Sequence, residues 1–194
     1  MSIRIAGLED LPRILQIYAP YVERTNYSFE YEVPTPEAFT RRFQGITAQF
    51  PWLVWEEQGE VMGYAYASAP FERAAYSWCA EPSIYLDPRI QGKGVGSRLY
   101  RALEELLRLQ GYRVSYAIIT TENQPSIDFH AALGYRFLAE FPNCGFKHGR
   151  WVGTVWMEKV LNLVESPKQM PVPFPSIVKN NRNLQEILAK MPLF

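Results

Sequence analysis

The sequence predicts a mixed α/β domain, and three observations predict it. Apolar residues switch along the chain between the two-residue period of strands and the 3.6-residue period of helices, in the order β-α-α-β-β-β-α-β-α-β-β. Two β-type runs flank Gln58-Gly59-Glu60 as a hairpin. A further strand ending at Leu86 leads through a glycine-rich turn into a long amphipathic helix and then into another buried strand, which is the pattern of a β-α-β crossover.

Ser2 to Ala6 alternates apolar and polar residues and reads as the first strand. Glu9 to Glu23 places Leu11, Ile14, Leu15, Tyr18 and Val22 at helical spacing. Thr35-Pro36-Glu37 starts a second helix with a capping hydroxyl, a proline in the first turn and an acid at the positive dipole end; it should run to about Gly45. Trp52 to Glu57 and Val61 to Ala69 form the hairpin, and Ser77 to Leu86 a longer strand. Pro82 cannot donate to a ladder, so an irregularity or bulge is expected at Glu81-Pro82. Val95, Leu99, Ala102, Leu103, Leu106 and Leu107 make one helical stripe that stops at Gly111. Val114 to Thr120 is a buried strand, and Asn123 to Leu133 a short helix closed by Gly134. Tyr135 to Phe141 and Arg150 to Val160 are the last strands, joined by residues 145–149.

The domain is expected to span residues 1–163. Ser166 to Pro175 carries four prolines and reads as an extended linker. Asn183 to Met191 then presents Leu184, Ile187, Leu188 and Met191 on one face, a helix too short to stand alone. Residues 164–194 are thus a linker and an amphipathic helix that docks on its own domain or on a partner subunit.

Twenty basic and twenty acidic residues balance, so no net field argues for nucleic acid or for an anionic membrane surface. No apolar stretch is long enough to span a bilayer, and the first residues lack the apolar run of a signal peptide. Cys79 and Cys144 stand far apart without metal-ligand spacing, and His130 and His148 add no cluster, so no metal is expected. A soluble protein of the reducing cytoplasm follows.

The stretch Arg89-Ile-Gln-Gly-Lys-Gly-Val-Gly96 carries the most chemistry. Glycines leave backbone N–H groups uncovered at a helix N-terminus, where the unpaired amides and the positive dipole end favour a phosphate. The spacing excludes two commoner phosphate loops. Lys93 is followed by Gly94 and not by Ser or Thr, and Arg98 and Leu99 stand where a dinucleotide fingerprint needs its last glycine.

Gln91-x-x-Gly94-x-Gly96 resembles the pyrophosphate loop of GCN5-related N-acetyltransferases (GNATs), which hold acetyl-coenzyme A there. Further strings resemble the phosphinothricin and methionine-sulfoximine acetyltransferase branch: Thr25-x-x-x-Phe29-Glu30, Arg73-x-x-Tyr76-x-Trp78, Glu81-x-Ser83-Ile84-Tyr85-Leu86, Asn123-x-Pro125-Ser126, His130-x-x-Leu133-Gly134-Tyr135 and Gly145-Phe146-Lys147-x-Gly149-x-Trp151. The resemblance covers about residues 3–159. It implies the GNAT fold, a mostly antiparallel central sheet flanked by helices with splayed or bulged strands at the coenzyme site. It also implies acetyl transfer to the amino group of a small amino acid such as phosphinothricin, methionine sulfoximine or methionine sulfone.

Roles follow from the resemblance and from what acetyl transfer requires. Amides from Gly92 through Lys93, Gly94, Val95 and Gly96 to Ser97 would grip the pyrophosphate, with Gln91 opening the motif. The main chain of Ile84, Tyr85 and Leu86 would run beside the pantetheine, one amide, that of Leu86, pointing at the thioester oxygen. Asn123 either caps its helix or also reaches the pantetheine amides. A primary ammonium must lose a proton before it attacks, so a carboxylate in a partly dry cleft is useful; Glu81 matches the branch's base, its alternative being a strand-surface charge. His130 stands where many GNATs carry a tyrosine and would protonate the thiolate, relay a proton or serve the core. Arg73 suits the acceptor's carboxylate, with Lys147 as a second cation and Phe29 and Tyr76 as walls. A homodimer is common in this branch. Two other readings stay open: a GNAT acting on a protein N-terminus, a lysine or a polyamine, and a non-catalytic acetyl-coenzyme A-binding module.

Overall fold

The computed structural model describes residues 1–163, 165, 166, 169–181, 184 and 188. Among these, seven strands form one sheet in the order β1-β2-β3-β4-β5-β7-β6. They are β1 (Ser2–Ile5), β2 (Trp52–Glu57), β3 (Glu60–Ser68), β4 (Cys79–Leu86), β5 (Val114–Thr120), β6 (Arg136–Lys147) and β7 (Arg150–Val160). Every neighbouring pair is antiparallel except β4–β5.

The helices are α1 (Leu11–Arg24), α2 (Pro36–Thr47), α3 (Val95–Gln110), α4 (Gln124–Ala132) and α5 (Phe174–Asn180). On one face, Ile14, Tyr18 and Val22 of α1 and Phe39 and Phe43 of α2 bury against Trp52, Val54 and Tyr64. On the other, the stripe Val95, Leu99, Ala102, Leu103 and Leu106 of α3 buries against Leu53, Trp55, Ala65 and Ala67. Alternation along β2 and β3 sorts these side chains, so each strand feeds both layers. A third cluster joins Tyr100 to Ala117, Ile119, Leu133, Tyr135 and Val155 under α4.

The irregularity expected at Glu81-Pro82 is a splay, not a bulge. Against β3 the register runs unbroken from Ser68↔Glu81 to Gly63↔Leu86. Against β5 the ladder holds only Cys79↔Val114 and Ala80↔Ser115. It stops just before Pro82, which has no N–H to give it. Beyond that point the two strands diverge and a gap opens through the sheet.

Two boundaries differ from the sequence expectation. β6 continues to Lys147 through register shifts at Phe137/Ala139 and Phe141/Gly145, so most of the expected connection is strand. Only His148 (φ 48°) and Gly149 (φ 76°) turn, the paired positive φ of a tight hairpin. In the C-terminal stretch, α5 begins at Phe174, inside the segment read as extended. Pro175 lies in its first turn, where a missing N–H costs no helical bond. Phe174, Ile177, Leu184 and Leu188 are buried in the α3-side core, so this extension docks on its own domain. The rest of the helix expected over 183–191 lies outside the described residues.

Candidate active site

The gap between β4 and β5 is bounded by α4, the end of α1 and the loop leading into α3. Its inner part is a cavity whose walls include Glu81, Ser83, Ile84, Ala117, Asn123 and His130. Its outer part is a cavity of about 410 Å³ lined by Leu86, Gln91, Gly92, Gly96, Asn123 and Phe129. Tyr21, Tyr27, Ile84, Asn123 and Ser126 belong to both walls, so the two form one trench.

The outer part suits an anion. Gly92 (φ 72°) and Gly94 (φ 75°) take left-handed backbone, and a Cβ at either would meet no atom within 4 Å. Both therefore open toward free space at the start of α3, where unpaired amides and the helix dipole favour an anion. Gly96 is different: a Cβ there would meet Leu86 Cδ1 at 3.3 Å and the Phe129 ring at 3.4 Å. It lets α3 approach β4 and α4 closely. Lys93 is exposed in this loop, Val95 is buried beneath it and Ser97 is half-buried.

The base of the loop is rigid. Asp87 Oδ1 accepts from the Arg89 amide at 3.0 Å, and Asp87 Oδ2 accepts from Arg13 at 2.5 Å. Glu60 joins both guanidiniums at 3.0 and 2.7 Å. Hydrogen bonds from Arg89 hold the Asp87 carboxyl well below the usual carboxylate range.

Leu86 ends the unpaired edge of β4. Its amide, expected to face the thioester oxygen, donates to the Tyr21 hydroxyl at 3.3 Å. That hydroxyl donates to Leu86 O at 2.7 Å and accepts from Gln91 Nε2 at 3.1 Å. Tyr21 therefore belongs to the site, although nothing local in the sequence marks it.

Glu81 shares its strand face with Tyr85, which packs among Tyr18, Tyr21 and Tyr64 on the α1–α2 side. Ile84 and Leu86 face α3. The carboxyl thus meets the gap from the side opposite the glycine loop. Burial raises its pKa from 4.5 to about 7, because removing water penalises the charged form.

His130 is buried behind the same cavity. Nδ1 bonds Ser126 O at 2.7 Å, and Nε2 bonds the Tyr100 hydroxyl at 2.9 Å. A carbonyl can only accept, so the proton sits on Nδ1 and Tyr100 donates to Nε2. Burial lowers the pKa from 6.5 to about 4, and the ring is neutral at pH 7. His130 is thus a neutral ring bonded at both nitrogens, with the Tyr100 hydroxyl as the partner of Nε2. Asn123 Oδ1 accepts from the Ser126 amide at 3.2 Å, so the side chain caps α4 while lining the trench.

The cations and walls expected around the acceptor are not gathered here. Arg73 and Tyr76 lie in an exposed turn between β3 and β4, where Tyr76 packs on Phe71. Phe29 packs over Gly145. None of the three lines the trench. Lys147 is buried, its ammonium donating to Val22 O at 2.7 Å, Thr25 O at 2.9 Å and Ser28 O at 2.7 Å. All three donors are used, and an acceptor's carboxylate finds none left. Among the described residues no group of His, Cys, Asp and Glu side chains is placed to hold a metal.

Comparison with known proteins agrees with this geometry. The acetyltransferase (GNAT) domain family matches residues 3–156. A phosphinothricin N-acetyltransferase of Alcaligenes faecalis is 37% identical, over 83% of this chain and 83% of its own. An L-methionine sulfoximine/L-methionine sulfone acetyltransferase of Pseudomonas paraeruginosa is 38% identical, over 84% of this chain and 94% of its own. Among solved structures, a GNAT-superfamily phosphinothricin acetyltransferase from Sinorhizobium meliloti in complex with acetyl-CoA superposes with a TM-score of 0.81 at 36% identity, covering 88% of this chain and 92% of that one. With its splayed sheet, glycine-opened helix and carboxylate in the gap, the chain belongs to the GNAT family of acetyltransferases.

Proposed function

We propose that this protein moves an acetyl group from acetyl-CoA to the α-amino group of a small amino acid of the phosphinothricin, methionine sulfoximine or methionine sulfone class. The observation that carries the reading is Glu81: a carboxyl with a pKa of about 7 facing the gap from the side opposite the phosphate loop. The names of the relatives above support the substrate class.

In this reading the amides of residues 92–97, with Gln91, hold the pyrophosphate, and the free edge Ile84–Leu86 runs beside the pantetheine with Asn123 opposite. Acetyl-CoA supplies the activated acyl carbon. Glu81, ionised in part at pH 7, takes a proton from the acceptor's ammonium; the freed nitrogen lone pair forms the C–N bond as the C–S bond breaks, the sulfur leaves as coenzyme A thiolate, and the second proton shed by the new amide nitrogen converts that thiolate to the thiol. Fixed amides facing the carbonyl oxygen stabilise its developing charge, and the Leu86 amide joins them when its bond to the Tyr21 hydroxyl yields. His130, neutral and bonded at both ring nitrogens, holds α4 beside the gap. The two free thiols, Cys79 and Cys144, suit a reducing cytoplasm. Exposed aromatic rings at Phe141, Phe146 and Trp151 support pairing of two copies along the β6–β7 side.

The test is thiol release from acetyl-CoA with phosphinothricin, methionine sulfoximine, methionine sulfone, a polyamine and a short peptide offered in turn. Turnover confined to the amino acids is expected. Turnover of the polyamine or peptide instead would overturn the substrate class.

A further inference from the structure

Charge develops on the thioester oxygen as the amine adds, and preorganised donors are what stabilise it. The inner trench supplies few. Among the described residues that line it, none is a Lys or an Arg. His130 is engaged at both ring nitrogens. The main chain of β4 offers Leu86. The Asp87 amide donates to Met62 O at 2.8 Å, on the β3 side. One residue earlier, the N–H and C=O of Leu86 therefore point to the opposite, unpaired edge.

Tyr21, in the last turn of α1, lays its hydroxyl against that edge. It donates to Leu86 O at 2.7 Å, and the Leu86 amide donates to it at 3.3 Å. The second bond is long for its kind, and it is the one that a thioester oxygen at the Leu86 amide would replace. Gln91 Nε2 donates to the same hydroxyl at 3.1 Å and also reaches Leu86 O at 3.4 Å. Leu86 O thus has a second donor beside it, so the phenol proton can turn elsewhere. The ring need not move. It packs edge-on against Tyr85 at 5.1 Å between centroids and lines both parts of the trench. Burial raises the phenol's pKa above its ordinary value, so the hydroxyl keeps its proton at neutral pH.

We propose that the Tyr21 hydroxyl is a catalytic hydrogen-bond donor, which with the Leu86 amide holds the thioester oxygen while Gln91 takes over Leu86 O. The proposal rests on the reading above in placing that oxygen at the Leu86 amide, and it holds whichever amine is acetylated. No proton leaves Tyr21. As the C–N bond forms, the carbonyl π pair moves onto oxygen, where the two donors bind it. The pair returns as the C–S bond breaks. A donor that strengthens only as charge develops adds to rate more than to affinity.

Tyr21→Phe removes one oxygen atom and keeps the ring. At saturating acetyl-CoA its kcat with methionine sulfone should fall about a hundredfold, the usual cost of one such donor. Affinity for acetyl-CoA by calorimetry should not fall. The infrared stretch of isotope-labelled thioester carbonyl, read with acetyl-CoA bound and no acceptor, should lie lower in wild type than in Tyr21→Phe. Gln91→Leu should lower kcat in the wild-type background and no further in the Tyr21→Phe background.

A Tyr21→Phe protein with wild-type kcat overturns the assignment. So does a lost rate with an unshifted carbonyl band, which would place the hydroxyl's action away from the thioester oxygen. Equal losses of affinity for acetyl-CoA and for coenzyme A, with kcat kept, would make Tyr21 a support for the glycine loop. Additive kcat losses in the double variant overturn the part given to Gln91. A wild-type band at its solution position would remove the Leu86 amide as well, and with it the placement on which the proposal rests. Turnover of the polyamine or peptide alone would overturn the acceptor class and leave the band, read without acceptor, to decide Tyr21.

Discussion

The Tyr100 hydroxyl lies 2.9 Å from His130 Nε2, and both groups are buried. The same hydroxyl is 3.3 Å from that of Tyr135, which is 2.5 Å from Ser115 Oγ. A neutral imidazole therefore ends a row of hydroxyls inside the core instead of facing the cavity with a free nitrogen. Such a row holds its members in one arrangement and gives α4 a fixed distance from β5.

That burial sets a pH dependence of stability. The folded His130 pKa, about 4, lies below the ordinary 6.5. Between those values the unfolded chain binds a proton that the folded chain does not. The stabilisation is complete above pH 6.5 and is lost as the pH falls toward 4. By pH 5 the loss amounts to about 2 kcal/mol. His130→Gln, which keeps an acceptor for Tyr100, should flatten the fall in Tm between pH 7 and pH 5. Equal falls in variant and wild type would show that the ring titrates as if exposed.

Glu81 has the opposite sign. Its folded pKa, about 7, lies above the ordinary 4.5, so the folded chain holds the extra proton and ionisation on raising the pH costs stability. Activity needs the ionised form. The profile of kcat/KM should therefore rise through about pH 7. Glu81→Gln should lose that limb and slow turnover at pH 7 by about a hundredfold, with acetyl-CoA affinity unchanged in calorimetry and higher Tm at pH 8. Normal turnover at pH 7 would remove Glu81 as the base.

Gly94 couples backbone to coenzyme. At φ 75° a side chain costs about 1 kcal/mol of strain, and the Cβ would project into the open space above the helix start. Gly94→Ala should weaken acetyl-CoA binding about tenfold or more by titration calorimetry, while an alanine at Gly45, where a Cβ also meets nothing within 4 Å but no positive φ is required, should leave binding untouched. Equal affinities for the two variants would mean that the loop does not carry the phosphate.

What was legible in the sequence was local. The α3 stripe, its stop at Gly111 and the hairpin about Gly59 follow from residues within a few positions of one another, and each element stands within a few residues of its expected place. The places of Glu81 at a strand irregularity and of the glycine loop at a helix start were legible because both sit on one strand–turn–helix unit. The extension of β6 was hidden by residues 145–149, which read as the connection although Gly145 lies at a register shift and pairing resumes there. Tyr21 meets Leu86 across 65 positions, and Lys147 meets Val22 across 125. No period or spacing records such a pairing, so Tyr21 went unseen and Lys147 was given to the substrate instead of to the carbonyls it caps. Arg73 belongs to the same class: its string matches the branch, but its place outside the trench is a matter of how an exposed turn folds.

The C-terminal extension gives the last prediction. Gln110 Nε2, at the end of α3, donates to Gln49 O at 2.7 Å and to Val172 O at 2.8 Å. The Val172 amide returns a bond to Gln110 O at 2.7 Å, and the Phe174 amide donates to Gln49 O at 3.0 Å. One buried amide side chain thus ties the extension to the α2–β2 connection and to α3. Phe174, Ile177, Leu184 and Leu188 then fill the core beside Phe50 and Tyr112. None of these residues lines the trench. Phe174→Ala should lower unfolding free energy by about 3 kcal/mol, the usual cost of emptying an aromatic site, and leave KM for acetyl-CoA and acceptor unchanged. Gln110→Leu should cost less in volume but orphan the Val172 carbonyl, Gln49 O keeping the Phe174 amide, about 1–3 kcal/mol. Denaturant unfolding reads both. A change in KM without a change in stability would mean that the extension serves the site and not the core.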